Sequence, residues 1–101
     1  MQHVRIATYG INKGTFQELA ETAKSGMLPK FEAQPGFVRY GLAELGDKTV
    51  MSISVWETRA QAEAAAPVAA TWVGENLADR VALKSNSVGD LAFFKGVPAT
   101  V

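Results

Sequence analysis

Two kinds of hydrophobic spacing alternate along the chain. Period-two patterning and β-branched or aromatic residues predict strands over 4–11, 37–45, 49–56 and 84–94. Apolar residues three or four positions apart predict a helix after Thr15, where Glu18 completes a capping box. A second such box opens at Thr58, before an alanine-rich helical stretch. The order strand, helix, strand, strand, helix, strand predicts an α+β, ferredoxin-like split βαββαβ fold, a four-stranded antiparallel sheet with helices on one face.

Proline interrupts both predicted helices. Pro29 is expected to break or kink the first one near its end. Pro67 lies inside the alanine-rich stretch, and proline is tolerated in a first helical turn. We therefore expect a short helix before Pro67 and a second over about 67–80. Residues 96–101 are expected to form a loose tail beyond a single domain, residues 1–95.

The predicted strands carry apolar side chains on both faces. On the third strand, Met51, Ile53 and Val55 alternate with Val50 and Trp56. A sheet with one solvated face would show a cleaner alternation of apolar and polar residues. A chain of 101 residues also has a small core and no disulfide to support it. The sequence therefore predicts a homodimer in which the helix-free sheet faces pack together as an α/β barrel.

Composition excludes several classes of function. Ten basic residues balance ten acidic ones, which leaves no electrostatic footprint for nucleic acid or an anionic membrane. Cysteine is absent, so thiolate metal sites and thiol nucleophiles are excluded. With one histidine and scattered carboxylates, the sequence predicts no metal site. It also lacks a glycine-rich phosphate-binding loop, so we expect no cofactor. Without an apolar run long enough for a membrane span, we expect a cytoplasmic protein.

Several short motifs occur together in the order of one known family. They are Lys-Gly at the end of the first strand, Pro-Gly-Phe before the second, and Ser-Val-Trp-Glu-Thr from the end of the third into an alanine-rich helix; they occupy residues 13–14, 35–37 and 54–58. The chain in this respect resembles the antibiotic biosynthesis monooxygenase family of the dimeric α/β-barrel superfamily, from about residue 4 to residue 94. The resemblance implies a homodimer with one cavity per subunit, between sheet and helices.

The functional residues of that family match this chain only in part. Some members oxidise phenolic or polyketide substrates with O2 and no cofactor, and others degrade haem. The quinone-forming members resemble this chain at Trp56, but their asparagine and tyrosine partners correspond to Ser52 and Ala62. The haem-degrading members use a first-strand asparagine, where this chain has Ala7, and a helical histidine, whereas His3 precedes the first strand's core. We therefore expect no haem degradation.

Two residues are candidates for catalysis. Trp56 is expected either to stack on a flat aromatic substrate at the cavity mouth or to cap the sheet end as a core residue. His3 is the one side chain that titrates near neutrality in its ordinary state, so it is either a general base for a phenolic proton or an exposed terminal residue.

Four further residues are candidates for substrate binding. Arg5 is expected either to bind an anionic oxygen or to pair with a carboxylate such as Glu44 or Asp90. Tyr9 either offers its hydroxyl to a ligand or is a core residue whose hydroxyl reaches solvent. Trp72 and Phe31 belong to helix faces turned toward the sheet, where core residues also line any cavity.

The predicted topology suggests how these residues meet. We expect the first and third strands to be adjacent, central and parallel, which would bring Tyr9 close to Trp56 in a mainly apolar pocket. The sequence thus predicts a cofactor-independent monooxygenase acting on an aromatic, quinol or polyketide-like small molecule. The alternative is a non-catalytic ligand-binding or structural dimer, favoured by the missing asparagine and tyrosine.

Overall fold

The structure is a computed structural model that describes residues 1–95. The predicted element order is confirmed. The strands are β1 (His3–Ile11), β2 (Phe37–Glu44), β3 (Thr49–Trp56) and β4 (Val81–Asp90), and the helices are α1 (Phe16–Glu32) and α2 (Arg59–Asn76). Both predicted capping boxes are present, at Thr15 with Glu18 and at Thr58 with Gln61. Each satisfies backbone N–H groups that the first helical turn would otherwise leave free.

The four strands form one antiparallel sheet in the order β2-β3-β1-β4. The predicted ferredoxin-like fold is therefore confirmed, but the expected parallel alignment of the first and third strands is wrong. The crossover through α1 makes β2 run in the direction of β1, and the following hairpin reverses β3. His3 consequently pairs with Trp56, and Tyr9 pairs with Val50, at the other end of the sheet.

The second helix is continuous, so the predicted division at Pro67 is wrong. Pro67 lies within α2, which has 18 residues. Proline removes one backbone donor, and the surrounding alanines have the highest helix propensity of any residue. Pro29 likewise lies inside α1, which continues to Glu32, and its carbonyl accepts a bond from the capping Ala33 N–H.

The fourth strand begins and ends earlier than the sequence predicts. It leaves the sheet after Asp90, and the Leu91 N–H then donates to the Gln2 carbonyl. Residues 91–95 continue from this edge toward the opposite edge strand, where the Arg39 guanidinium lies 4.8 Å from the centre of the Phe94 ring. Val4 and Val55, on the helix-free face, are buried. The predicted tail over 96–101 lies outside the described residues.

The main core lies between the sheet and the two helices. Its largest fully buried side chains are Trp56 and Phe31. The helices approach closely at Gly26, where a Cβ would lie 2.6 Å from Cζ2 of Trp72. This glycine lets the Trp72 indole lie flat against α1 above the sheet. Within residues 1–95, no helix has the length and hydropathy of a membrane-spanning segment.

Candidate functional site

A cavity opens between the helices and the half of the sheet that contains Tyr9. We call it the central cavity. Its interior volume is about 40 Å³, and the volume rises to about 410 Å³ when the open space at its mouth is included. Its walls are almost entirely apolar and aromatic, and include Leu19, Ala23, Met27, Phe31, Leu42, Val50, Ala69, Trp72, Val73 and Leu77. An apolar, concave space with a few polar groups is typical of small-molecule sites.

Three side chains on the sheet supply the polar part of the central cavity: Tyr9, Tyr40 and Ser52. Burial raises the pKa of Tyr40 to about 12; the nearby Tyr9 adds to this effect, while a hydrogen bond with Ser52 and the Arg5 charge oppose it. The Tyr40 hydroxyl is therefore protonated at neutral pH and able to donate a hydrogen bond. We call these three residues the polar wall.

Arg5 is buried on the same sheet face as Tyr9. Its side chain is on the helix side of β1, and the residue is only 3% exposed. Its Nε donates to Oδ1 of Asn86 on the neighbouring β4, at 2.6 Å. The expected carboxylate partner is not found among residues 1–95. Asp90 instead lies 2.7 Å from Nδ1 of His3, and Glu44 is at the opposite end of the sheet, beside Val50.

Trp56 is a core residue at the end of the sheet. It is 0% exposed, and its indole Nε1 donates to the Ser54 hydroxyl at 2.9 Å. Phe31 and Phe37 meet its ring edge-to-face, at centroid distances of 5.4 and 5.6 Å. It does not line the central cavity, so the expected pocket joining Trp56 to Tyr9 is not formed. The antiparallel register separates these two residues, and the structure favours the core interpretation of Trp56.

His3 also lies away from the central cavity. Its side chain is 18% exposed and shares Asp90 with Arg59, whose Nη1 is 3.7 Å from the same oxygen. This cluster sits at the sheet end beside Trp56, the cross-strand neighbour of His3. His3 is thus held by a carboxylate rather than free at the terminus, but no histidine lines the central cavity.

The structure brings together only half of the predicted site residues. Tyr9, Phe31 and Trp72 line the central cavity, whereas His3, Arg5 and Trp56 do not. Sequence reasoning missed Tyr40 in the polar wall and Asn86 as the partner of Arg5. Tyr40 has a detectable signal, because it shares the alternating face of β2 with Leu42. Asn86 has none, because an isolated amide in a strand does not indicate its partner.

The part of the chain that the structure describes has no cluster of metal-binding side chains. No group of three or more histidine, cysteine, aspartate or glutamate residues is close enough there to hold a metal ion. The ionisable groups of the polar wall are tyrosines. The polar groups that the described site offers to a ligand are hydroxyl groups in an apolar enclosure.

Solved structures with this fold include functionally different proteins. SnoaB, a cofactor-independent oxygenase from Streptomyces nogalater, superposes with a TM-score of 0.68 at 17% identity, covering 97% of this chain and 98% of its own. MupZ from Pseudomonas fluorescens has a TM-score of 0.68 at 14% identity, covering 86% and 69%. A haem-degrading protein from Mycobacterium tuberculosis has a TM-score of 0.63 at 21% identity, covering 95% and 100%. At these identities the likeness establishes the fold alone.

Sequence comparison identifies the family. A comparison with curated protein sequences finds no significant match. The sequence pattern of the antibiotic biosynthesis monooxygenase family matches residues 2–66, more than half of the chain. This span includes β1, β2, β3, α1 and the first part of α2, and therefore most of the central cavity. The chain belongs to the antibiotic biosynthesis monooxygenase family.

Proposed function

We propose that the protein is a cofactor-independent monooxygenase that oxidises an electron-rich, flat aromatic molecule in the central cavity. The observation that carries this proposal is the cavity itself, an apolar and aromatic enclosure with hydroxyl groups on one wall. Family membership supports the reaction class, and SnoaB is a cofactor-independent oxygenase with the same fold.

The shape of the central cavity suits a planar ring. Phe31 and Trp72 provide aromatic surfaces, and the Tyr40 ring packs edge-to-face on Phe31 at 5.0 Å. The interior is narrow, so a two-ring ligand has to widen it. Met27 and Leu19 line the wall from α1, and methionine repacks easily because its side chain is unbranched and flexible.

The substrate itself supplies the electrons in this chemistry. With α-naphthol, one oxygen atom of O2 forms a new C=O bond on the ring, and the other leaves as water with the two hydrogens that the substrate loses. The products are naphthoquinone and water, and no external reductant is consumed. The protein's part is to exclude bulk water and to hold the substrate hydroxyl against the polar wall through Tyr9, Tyr40 or Ser52.

A second function is ligand binding without turnover. It is favoured because Ser52 and Ala62 stand where the quinone-forming members of the family have their asparagine and tyrosine. Ser52 retains a hydroxyl in the polar wall, but Ala62 is completely buried and offers no polar group. If the reaction needs both partners, the same cavity would bind an aromatic molecule and leave it unchanged.

We expect the purified protein to consume O2 and form naphthoquinone when it is mixed with α-naphthol or a related polycyclic phenol. An oxygen electrode and absorbance of the quinone would follow the reaction, with heat-denatured protein as blank. Val73→Phe narrows the central cavity and is expected to lower both binding and turnover at least about tenfold, because an overpacked cavity excludes a ligand.

Val68→Phe is the matched control, since Val68 is on the same helix and is also partly buried but does not line the central cavity. It should leave binding and turnover near the wild-type values. Saturable binding without O2 uptake would establish the second function. No binding of any polycyclic phenol, or equal behaviour of the two variants, would overturn both.

We also propose that two copies form a homodimer through their helix-free sheet faces. On this face Ile6, Met51 and Ile53 are partly exposed. Family membership supports this assembly. Burying these side chains against a second copy removes apolar surface from water, which stabilises the association.

Ile53→Arg is expected to dissociate this dimer, because it places a charge at the centre of the proposed interface. Sedimentation should change from about twice 10.8 kDa to 10.8 kDa. Leu45→Arg adds the same charge on an exposed hairpin residue and should leave the dimer intact. A wild-type protein that sediments only as a monomer at micromolar concentration would refute the assembly.

A further inference from the structure

We propose that the ligand of the central cavity carries an anionic oxygen, and that the buried guanidinium of Arg5 selects it by charge. This inference rests on the proposed function, because it assumes that an aromatic molecule enters the cavity. It adds the ligand's charge and a residue that determines specificity.

Arg5 is a buried cation that has no carboxylate partner among residues 1–95. Arginine retains its charge under all physiological conditions. Arg5 is 3% exposed, and no carboxylate of residues 1–95 lies within 4 Å of its guanidinium. The hydrogen bond to Asn86 satisfies one donor, but a neutral amide does not balance the charge. A buried, uncompensated charge is costly, and the cost falls when an anion binds nearby.

Arg5 lies on the same face of the sheet as the polar wall. Arg5 pairs across β1 and β3 with Ser54, and Ser54 pairs with Tyr40 on β2, so the three form one row across the sheet. Ser52 follows in the next row on the same face. Arg5 is close enough to Tyr40 for its positive charge to act on the phenol's ionisation. Arg5 therefore shares the helix-covered face of the sheet with the polar wall, one strand away from Ser52 and two strands away from Tyr40.

None of the described residues that line the central cavity has a carboxylate or a basic side chain. The residues that α1 and α2 contribute to the central cavity are all apolar, among them Met27 and Trp72. On the sheet side the titratable groups are Tyr9 and Tyr40, and burial keeps Tyr40 protonated well above neutral pH. Toward the sheet end Asp90 pairs with both His3 and Arg59, and Arg59 also pairs with Glu63. In an apolar enclosure the remaining positive charge acts strongly on a ligand.

The test compares two ligands of one shape and different charge. α-Naphthoate and α-naphthamide are titrated into the full-length protein at neutral pH in a calorimeter. An opposite charge nearby shifts an ionisation by about one to three pKa units, so we expect the wild-type protein to bind the anion at least about tenfold more tightly. Arg5→Met should abolish this preference while retaining naphthamide binding, since methionine fills much of the same space without the charge.

Two controls separate charge from folding. Arg5→Lys keeps the charge and should keep most of the preference for the anion. Arg59→Met removes an exposed cation near the same sheet end and should leave the preference unchanged. If Arg5→Met fails to fold, Arg5→Gln serves as the second neutral variant. Absorbance should show a pKa of bound para-nitrophenol that is lower in the wild-type protein than in this variant by about one unit or more.

The outcomes distinguish this inference from the proposed function. Equal wild-type affinity for naphthoate and naphthamide, or the same pKa of bound nitrophenol in the wild-type protein and in Arg5→Gln, would overturn the role of Arg5 and leave the aromatic cavity intact. Failure of all three ligands to bind would overturn the cavity function, and the inference with it. Preference for the anion that persists in Arg5→Met would overturn the assignment to Arg5.

Discussion

Trp56→Ala is expected to lower the free energy of unfolding by about 3 to 5 kcal/mol, as truncation of a large core aromatic does. The side chain is completely buried and contacts Phe31 and Phe37 edge-to-face. Its removal leaves a cavity and also deprives the Ser54 hydroxyl of its indole donor. Urea denaturation followed by circular dichroism measures the loss, and the melting temperature should fall by more than roughly 10 °C.

Trp56→Phe is the informative companion. It keeps an aromatic ring between Phe31 and Phe37 but loses the Nε1 hydrogen bond to Ser54 and part of the ring volume. We expect an intermediate loss of roughly 1 to 2 kcal/mol, of which a neutral hydrogen bond accounts for about half. An alanine variant within about 1 kcal/mol of wild type would contradict the core role. It would restore the interpretation of Trp56 as a ligand-stacking residue.

The element order and the fold class could be predicted because they depend on local patterns. The capping boxes at Thr15 and Thr58 mark both helix starts by hydrogen bonds between residues only three positions apart. The error at Pro67 has the opposite origin. Whether a proline breaks a helix depends on packing of the whole helix against the sheet, and Ala62, Ala65 and Ala69 are all buried there.

The site could be predicted only where it follows from the face of an element. Tyr9, Phe31 and Trp72 have the right spacing and do line the central cavity. The pairing of Trp56 with Tyr9 failed because it required the direction of β3 relative to β1, a property of the topology rather than of either strand. The bond between Arg5 and Asn86 joins residues 81 positions apart. Such a contact is decided by strand register, which neither residue reveals.

The structure also explains why two motifs of the family occur together. The Pro-Gly-Phe turn and the start of α2 contact each other, because the Glu57 N–H donates to the Gly36 carbonyl at 2.9 Å. Phe37 packs on Trp56. The Gln61 carboxamide, which completes the capping box of α2, occupies the space where a Cβ of residue 36 would be. The two motifs are therefore one packing unit that closes the end of the sheet.

This unit predicts a large effect for Gly36→Ala. Gly36 has a φ of +80°, which costs an alanine about 1 to 2 kcal/mol. The new methyl group would also displace Gln61, and loss of a helix cap costs about 0.5 to 2 kcal/mol. Together we expect unfolding by urea to require about 2 to 3 kcal/mol less than in the wild-type protein.

Gly46→Ala separates the two causes of that loss. Gly46 has nearly the same φ, +79°, but a Cβ there would have no atom within 4 Å. We therefore expect it to show the backbone cost alone, about 1 to 2 kcal/mol. In a third variant, Gln61→Ala, the carboxamide is absent, so adding Gly36→Ala should cost little more than Gly46→Ala does in the wild-type background. Equal losses for Gly36→Ala and Gly46→Ala in the wild-type protein would show that Gln61 moves aside freely, and the two motifs would then not be coupled through this contact.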